Sequence, residues 1–425
     1  MIKRILYTLL IMFPVLASAQ INTDRVMAIG RNALYFEDYV LSIQYFNQVI
    51  NAKPYLSDPY FYRGLAKINL DDFQGAESDC SEAIERNPFV VSAYQVRGLA
   101  RIQQNNFAGA IEDYTKALEF DPENIGVWHN MALCRIRQED YKGAKNDLDK
   151  LIAISPRYTK AYLMRGEVDL KQKDTLAAEK DFGKAIEIDR YDADTWASRA
   201  ILRLQQQRYK DAEADFDHAI RLSTRNSGVY INRALARYHQ NNLRGAMSDY
   251  DIALDIDPNN FIGHYNRGLL RAQVGDDNRA IQDFNFVIEM EPDNMMAIFN
   301  RGLLLDQTGD YKGAIKDYST VINEYPNFLL GYQYRAQARR KIGDVKGADA
   351  DEFKVLKAQL DKQNGVDPNK QTADNTENNK TRKKSDKNMN NYRKIVVADN
   401  EEGEEKYKSD YRGRVQDKNV NIVPQ

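Results

Sequence analysis

The sequence predicts an all-α solenoid of ten antiparallel helix pairs. Three observations carry that expectation: a strict period of 34 residues, a small residue recurring twice per period, and aromatic residues at helical spacing around the small ones. The period is read from the dipeptides Arg63-Gly64, Arg97-Gly98, Arg165-Gly166, Arg267-Gly268 and Arg301-Gly302, whose separations are all multiples of 34. Extending the register gives ten units from Thr23 to Lys362 without an insertion or deletion, four-fifths of the 425 residues.

Numbering each unit from 1 to 34 justifies the elements in order. Position 8 is Gly or Ala in every unit, and position 20 is Ala in nine, Ala76 through Ala348, with Ser42 in the first. Position 4 is mostly aromatic (Tyr60, Tyr94, Trp128, Tyr162, Trp196, Tyr230, Tyr332), and so is position 24 (Phe46, Tyr114, Phe182, Phe216, Tyr250, Phe284, Tyr318). Positions 4, 8 and 11 share one helical face and 17, 20, 24 and 27 another, so each unit reads as two amphipathic helices. The small residues let the two backbones approach, and the aromatics fill the space around them. Pro at position 32 in seven units lacks an N–H and ends the second helix. One hairpin cannot bury both of its faces, so stacked neighbours complete the core.

These residues resemble the tetratricopeptide repeat family, whose pattern places an aromatic at 4, Gly at 8, Ala at 20 and 27, and Pro at 32. The resemblance implies a right-handed superhelix that binds proteins or peptides, mostly on its concave face. The departures are local: position 32 is Arg190, Thr224 and Leu360 in three units and position 17 is Asp277 in the eighth, which predicts weakened helix ends there.

Two charged positions recur where the family usually carries apolar groups. Position 7 is Arg63, Arg97, Arg165, Arg199, Arg233, Arg267, Arg301 and Arg335. Position 23 is Asp79, Asp113, Asp147, Asp181, Asp215, Asp249, Asp283, Asp317 and Asp351. The first unit lacks both, with Ile29 and Tyr45, and the fourth sets Met131 opposite Asp147. Pairing within units orphans only Asp147, which Arg135 at position 11 is placed to rescue. Pairing with the next unit orphans Arg63, Asp113 and Asp351. A structural ladder within units is therefore expected, since charges at a helix interface need partners. The functional alternative is a row of ligand-binding arginines.

For a ligand, the apolar stripe at positions 5, 9 and 12 reads mainly as packing between first helices. Position 5 is more mixed and position 13 is polar; in the family both help to line the concave surface. The groove candidates are Phe61, Gln95, His129, Tyr265 and Phe299, with Asn69, Gln103, Arg137, Lys171, Gln205 and His239. An extended peptide laid there would rest apolar side chains on the aromatics and bond its backbone to the amides. The Lys and Asn pattern with which some family members clamp a terminal carboxylate is absent.

Composition narrows the function. Sixty Lys and Arg against 62 Asp and Glu leave a formal charge of −2, which argues against a nucleic-acid partner. Four His at four different repeat positions imply no metal cluster, and there is no phosphate loop, nucleophile elbow or HExxH motif. No cofactor and no catalysis are expected. Cys80 and Cys134 lie two units apart, too far to bridge in a solenoid, and read as small core residues.

The ends differ in composition. Residues 1–19 have the form of a secretory signal: Lys3 and Arg4, an apolar run from Ile5 to Phe13, then Ala17-Ser18-Ala19. The mature chain is expected to begin near Gln20, outside the cytoplasm, with no transmembrane span. Glu352 in place of an aromatic suggests a polar cap on unit ten. Residues 363–425 are a low-complexity tail: Asn364 to Asn391 reads as disordered linker, and Ile395-Val396-Val397 and Val415 to Val423 are β-branched patches in a solvated chain. A sharper alternative has Val420 to Val423 adding a strand to a partner's sheet. The leading expectation is an exported, non-enzymatic scaffold binding envelope proteins or peptides in the bacterial periplasm. The alternative is a peptide or glycan receptor of a surface nutrient-uptake system.

Overall fold

The computed structural model describes residues 22–222, 225–364 and 389–398. The leader and the Val420 to Val423 segment lie outside the described residues. Those described contain twenty α-helices in ten consecutive pairs and no strand. They fall into two compact units that divide at Asp189 and Arg190. The first holds α1 (Thr23–Tyr35), α2 (Tyr39–Ala52), α3 (Asp58–Ile68), α4 (Phe73–Arg86), α5 (Val91–Gln103), α6 (Phe107–Phe120), α7 (Ile125–Arg137), α8 (Tyr141–Ile154), α9 (Thr159–Lys171) and α10 (Thr175–Ile188). The second holds α11 (Ala193–Gln205), α12 (Tyr209–Arg221), α13 (Ser227–His239), α14 (Leu243–Ile256), α15 (Phe261–Gln273), α16 (Asp277–Met290), α17 (Met295–Thr308), α18 (Tyr311–Glu324), α19 (Leu329–Lys341) and α20 (Val345–Gln363), followed by the segment 389–398.

The turn inside each pair repeats its chemistry. Position 15 is left-handed in all ten units: Glu37, Asp71, Asn105, Glu139, Lys173, Gln207 and Asn241, then Gly275, Gly309 and Gly343. In nine of the ten units the next residue sends its N–H back to a carbonyl of the first helix, as Asp72 does to Lys67 at 3.0 Å. That same residue is usually Asp or Asn, and its side chain accepts from the N–H three residues on, as Asp72 from Gly75 and Asn242 from Gly245. One dipeptide thus closes the first helix and caps the second.

The predicted core positions meet. Ala at position 20 is fully buried in all nine units that carry it, and every ring at position 24 is buried beside it. The approach is tight: a Cβ on Gly166 would lie 2.6 Å from the Phe182 ring. Cys80 and Cys134 are buried free thiols in this core, and burial pushes them up to about 12 and about 11, far from reactivity.

The helix ends without proline behave differently from expectation. With Arg190 at position 32, α10 still stops at Ile188, in register with the proline units. With Leu360 there, α20 continues to Gln363. Thr224 lies outside the described residues. The terminal face is also less polar than expected, because α20 leaves Phe353, Leu356 and Leu360 exposed while Glu352 pairs with Arg340 at 2.6 Å.

Positions 7 and 23 meet within each unit. Arg97–Asp113, Arg165–Asp181, Arg199–Asp215, Arg233–Asp249, Arg267–Asp283, Arg301–Asp317 and Arg335–Asp351 pair at 2.6 to 2.8 Å, and Arg63 pairs with Asp79 in the same way. Two further contacts extend the ladder. The third guanidinium nitrogen often reaches position 25 of the preceding unit, as Arg233 does Asp217 at 2.7 Å and Arg301 does Asn285 at 2.9 Å, so the same arginine also clips neighbours together. Arg or Lys at position 11 gives most of the aspartates a second cation, as Arg237 gives Asp249 at 2.8 Å.

The fourth unit shows what the missing arginine does. Asp147 keeps only Arg135, at 2.7 Å, and burial pushes its carboxyl up to about 6. At Asp283 the balance reverses: burial still works upward, but bonds to His264 and Arg267 hold it below the usual range. Asp147 has an ordinary value of 3.8, so its folded form binds a proton more tightly. Its charge therefore weakens the fold above pH 6, and the penalty fades as pH falls through 6 towards 4. Asp147→Asn is expected to stabilise by about 1–2 kcal/mol at pH 8 and to lose that gain by pH 4. Thermal melts with the same difference at both pH values would exclude this account.

Candidate peptide-binding site

The site is built on the first helices of the seventh, eighth and ninth units. Position 6 is Asn232 on α13, Asn266 on α15 and Asn300 on α17, all three buried. A carboxamide on a single methylene is a donor and an acceptor held close to its own helix, so it matches the N–H and C=O of one peptide residue. That is how these side chains are used. Asn266 donates to the Val396 carbonyl at 2.7 Å and accepts from the Val396 N–H at 2.9 Å. Asn232 does the same with Ala398, at 2.9 Å in both directions. Asn300 donates to the Tyr392 carbonyl, which also accepts from the Tyr265 hydroxyl at 2.7 Å. The segment 389–398 therefore runs across the first helices from α17 towards α13, opposite to repeat order.

Its side chains anchor at every third residue. Met389, in a short 3-10 turn with Asn390 and Asn391, packs in the cluster of Phe299 and Phe328. The Tyr392 ring stands edge-on to Phe299 at 4.8 Å and 89°, and burial pushes its phenol up. Ile395 joins the cluster of Leu235, and Ala398 that of Ile231 and Leu270. A solvated tail was the expectation for this stretch. A three-residue spacing of apolar side chains matches neither α-helix nor strand, and for that reason it reads as incidental in the sequence.

The predicted groove residues divide. Tyr265 and Phe299 lie under the segment. In the first compact unit, Phe61 packs on Tyr62 at 5.0 Å, and His129 meets Tyr158 edge-on at 5.9 Å, with burial holding its imidazole below the usual range. Gln95 is half-buried in that unit. The position-13 row, Asn69, Gln103, Arg137, Lys171, Gln205 and His239, is exposed, and the segment's hydrogen bonds go to position 6. His239 stacks on Tyr209 at 4.5 Å. The asparagines at position 6 were missed, although their recurrence with Asn130 was a visible signal. Asn130 itself lies 3.4 Å from the Tyr114 hydroxyl. Among the described residues no His, Cys, Asp and Glu group is placed to hold a metal, and no helix is long and apolar enough to cross a membrane.

Profiles of the tetratricopeptide repeat match residues 98–134, 125–158, 159–192, 198–261 and 265–327, together just over half of the chain. No curated protein matches it. Among solved structures, a tetratricopeptide repeat protein from Parabacteroides merdae aligns at 21% identity and a TM-score of 0.47, over 59% of this chain and 98% of that one. Pseudomonas aeruginosa PilF aligns at 20% and 0.42, over 48% and 92%. YrrB, described as a TPR protein with an unusual peptide-binding site, aligns at 20% and 0.36, over 43% and 95%.

Proposed function

Because the chain belongs to the tetratricopeptide repeat family, we propose that it is a non-catalytic scaffold of the bacterial cell envelope that grips an extended peptide along α13, α15 and α17. One observation carries this reading: Asn232 and Asn266 each bond both backbone groups of one peptide residue. The grip asks for a backbone, so a segment of another protein satisfies it as well as the chain's own. A receptor for glycans would aim its polar groups at hydroxyls instead. The envelope location rests on the leader at residues 1–19, and a chain purified from its source with an intact mass starting at Met1 would remove it.

Panning a library of displayed peptides against the full chain tests the grip. Retained peptides are expected to be lost when Asn232 and Asn266 are both leucine. Equal retention by the two chains, or no retention by either, would overturn the reading.

A further inference from the structure

The segment fills its groove unevenly. Met389, Tyr392, Ile395 and Ala398 are buried, while Arg393, Lys394, Val396 and Val397 are exposed. Beside Arg393 a cavity of about 350 Å³ stays open, with Leu269, Ala272, Leu303 and Leu304 in its walls and Gln273 and Gln307 among its polar lining. That is room for a bulky apolar side chain at the one stretch of the segment where two successive residues are charged. The chain's own segment therefore leaves unused the apolar burial that the groove offers.

What holds such an incomplete ligand in place is its tether. Only residues 365–388 separate the described end of the α20 region from Met389. Covalent attachment over such a length presents a segment to its site at an effective concentration on the order of millimolar. A free partner must outbid that advantage with contacts the segment lacks. Filling an apolar pocket by one methylene gains roughly 10- to 200-fold.

Resting on the peptide-gripping reading above, the geometry points to residues 389–398 as a tethered placeholder. It is displaced by a partner segment with an aromatic at the place of Tyr392 and a large apolar residue immediately after it. The aromatic keeps the edge-on seat against Phe299, the next side chain enters the cavity beside Leu303, and Asn266 and Asn232 hold the backbone that follows. The partner class is thus an extended segment with an aromatic–aliphatic pair, followed by small or β-branched residues.

The test uses the full chain and a full chain with Tyr392→Ala and Ile395→Ser, which empties the groove without touching its walls. Two fluorescein-labelled peptides spanning residues 388–399 are titrated by anisotropy, one native and one with Arg393→Leu. The emptied chain is expected to bind the native peptide at least tenfold more tightly than the unchanged chain, and the leucine peptide about tenfold more tightly again. No binding of either peptide to the emptied chain would bring down the gripping reading and this inference with it. Equal affinity of the two chains for the native peptide would overturn the placeholder alone and leave the grip standing. Equal affinity of the two peptides for the emptied chain would overturn the role of the cavity.

Discussion

Replacing Arg233 by methionine is expected to destabilise the second half of the chain by about 2–3 kcal/mol at pH 8. The charge it serves is almost wholly buried: Asp249 is 1% exposed and takes two bonds from the Arg233 fork. Removing one partner of a buried pair costs about 3–5 kcal/mol, because the other charge stays desolvated. The expected figure is lower because Arg237 remains 2.8 Å from Asp249. Arg233 also reaches Asp217 in the preceding unit and lies over the Tyr230 ring at 5.6 Å, so the loss weakens the joint between units as well as the hairpin. Pairing Arg233→Met with Asp249→Leu should restore much of the loss, since apolar groups of similar volume replace a buried pair at little cost. A double-mutant cycle in thermal melts reads the coupling, and simple additivity would exclude it.

The pH dependence has a definite sign. Burial already holds Asp249 above the usual carboxylate range. Without Arg233 its folded value rises further, while the unfolded value stays where it was. The defect is then full at pH 8 and shrinks as acid neutralises the carboxylate in the folded state. The fourth unit is the natural version of this variant, with Met131 in place of the arginine and Asp147 pushed up to about 6.

The second large effect is on the segment. With leucine at both 232 and 266, four hydrogen bonds to the peptide backbone disappear while the helix surface stays filled. At about 1 kcal/mol each, and allowing for non-additivity, docking of residues 395–398 should weaken by about 10²- to 10³-fold. Amide exchange reports it directly, because the Val396 and Ala398 N–H groups are the ones the asparagines accept from. Both amides should exchange faster in the variant by about the same factor. Unchanged protection would mean that the apolar anchors alone hold the segment.

The helix pairs were legible because their causes are local and repeated. A glycine whose place has no room for a Cβ, such as Gly166 against Phe182, demands its neighbour at a fixed separation in the chain. The same holds for Arg and Asp 16 residues apart, whose partnership can be inferred from which units lack one of them. The exceptions at Met131 and Ile29 carried as much information as the rule. The turn at position 15 was less visible, since seven non-glycine residues of five types take the left-handed conformation there and glycine appears only in the last three units.

The binding residues were harder to find for a physical reason. Asn266 on the flank of a helix looks like any solvated amide until something covers it, and what covers it is Val396, 130 positions away. Periodicity measures which face of a helix turns inward towards its own neighbours, so the groove at positions 5 and 13 rested on the family resemblance, and of those candidates only Tyr265 and Phe299 touch the segment. In the segment itself, Met389, Tyr392, Ile395 and Ala398 follow neither the α-helical nor the strand period. Amino-acid order alone was enough for the repeat, its pairing of helices and its absence of catalytic motifs, because each follows from contacts between residues a fixed short distance apart. Which polar row grips a peptide backbone, and that residues 389–398 of the same chain lie in it, depended on a long-range meeting that no local pattern encodes.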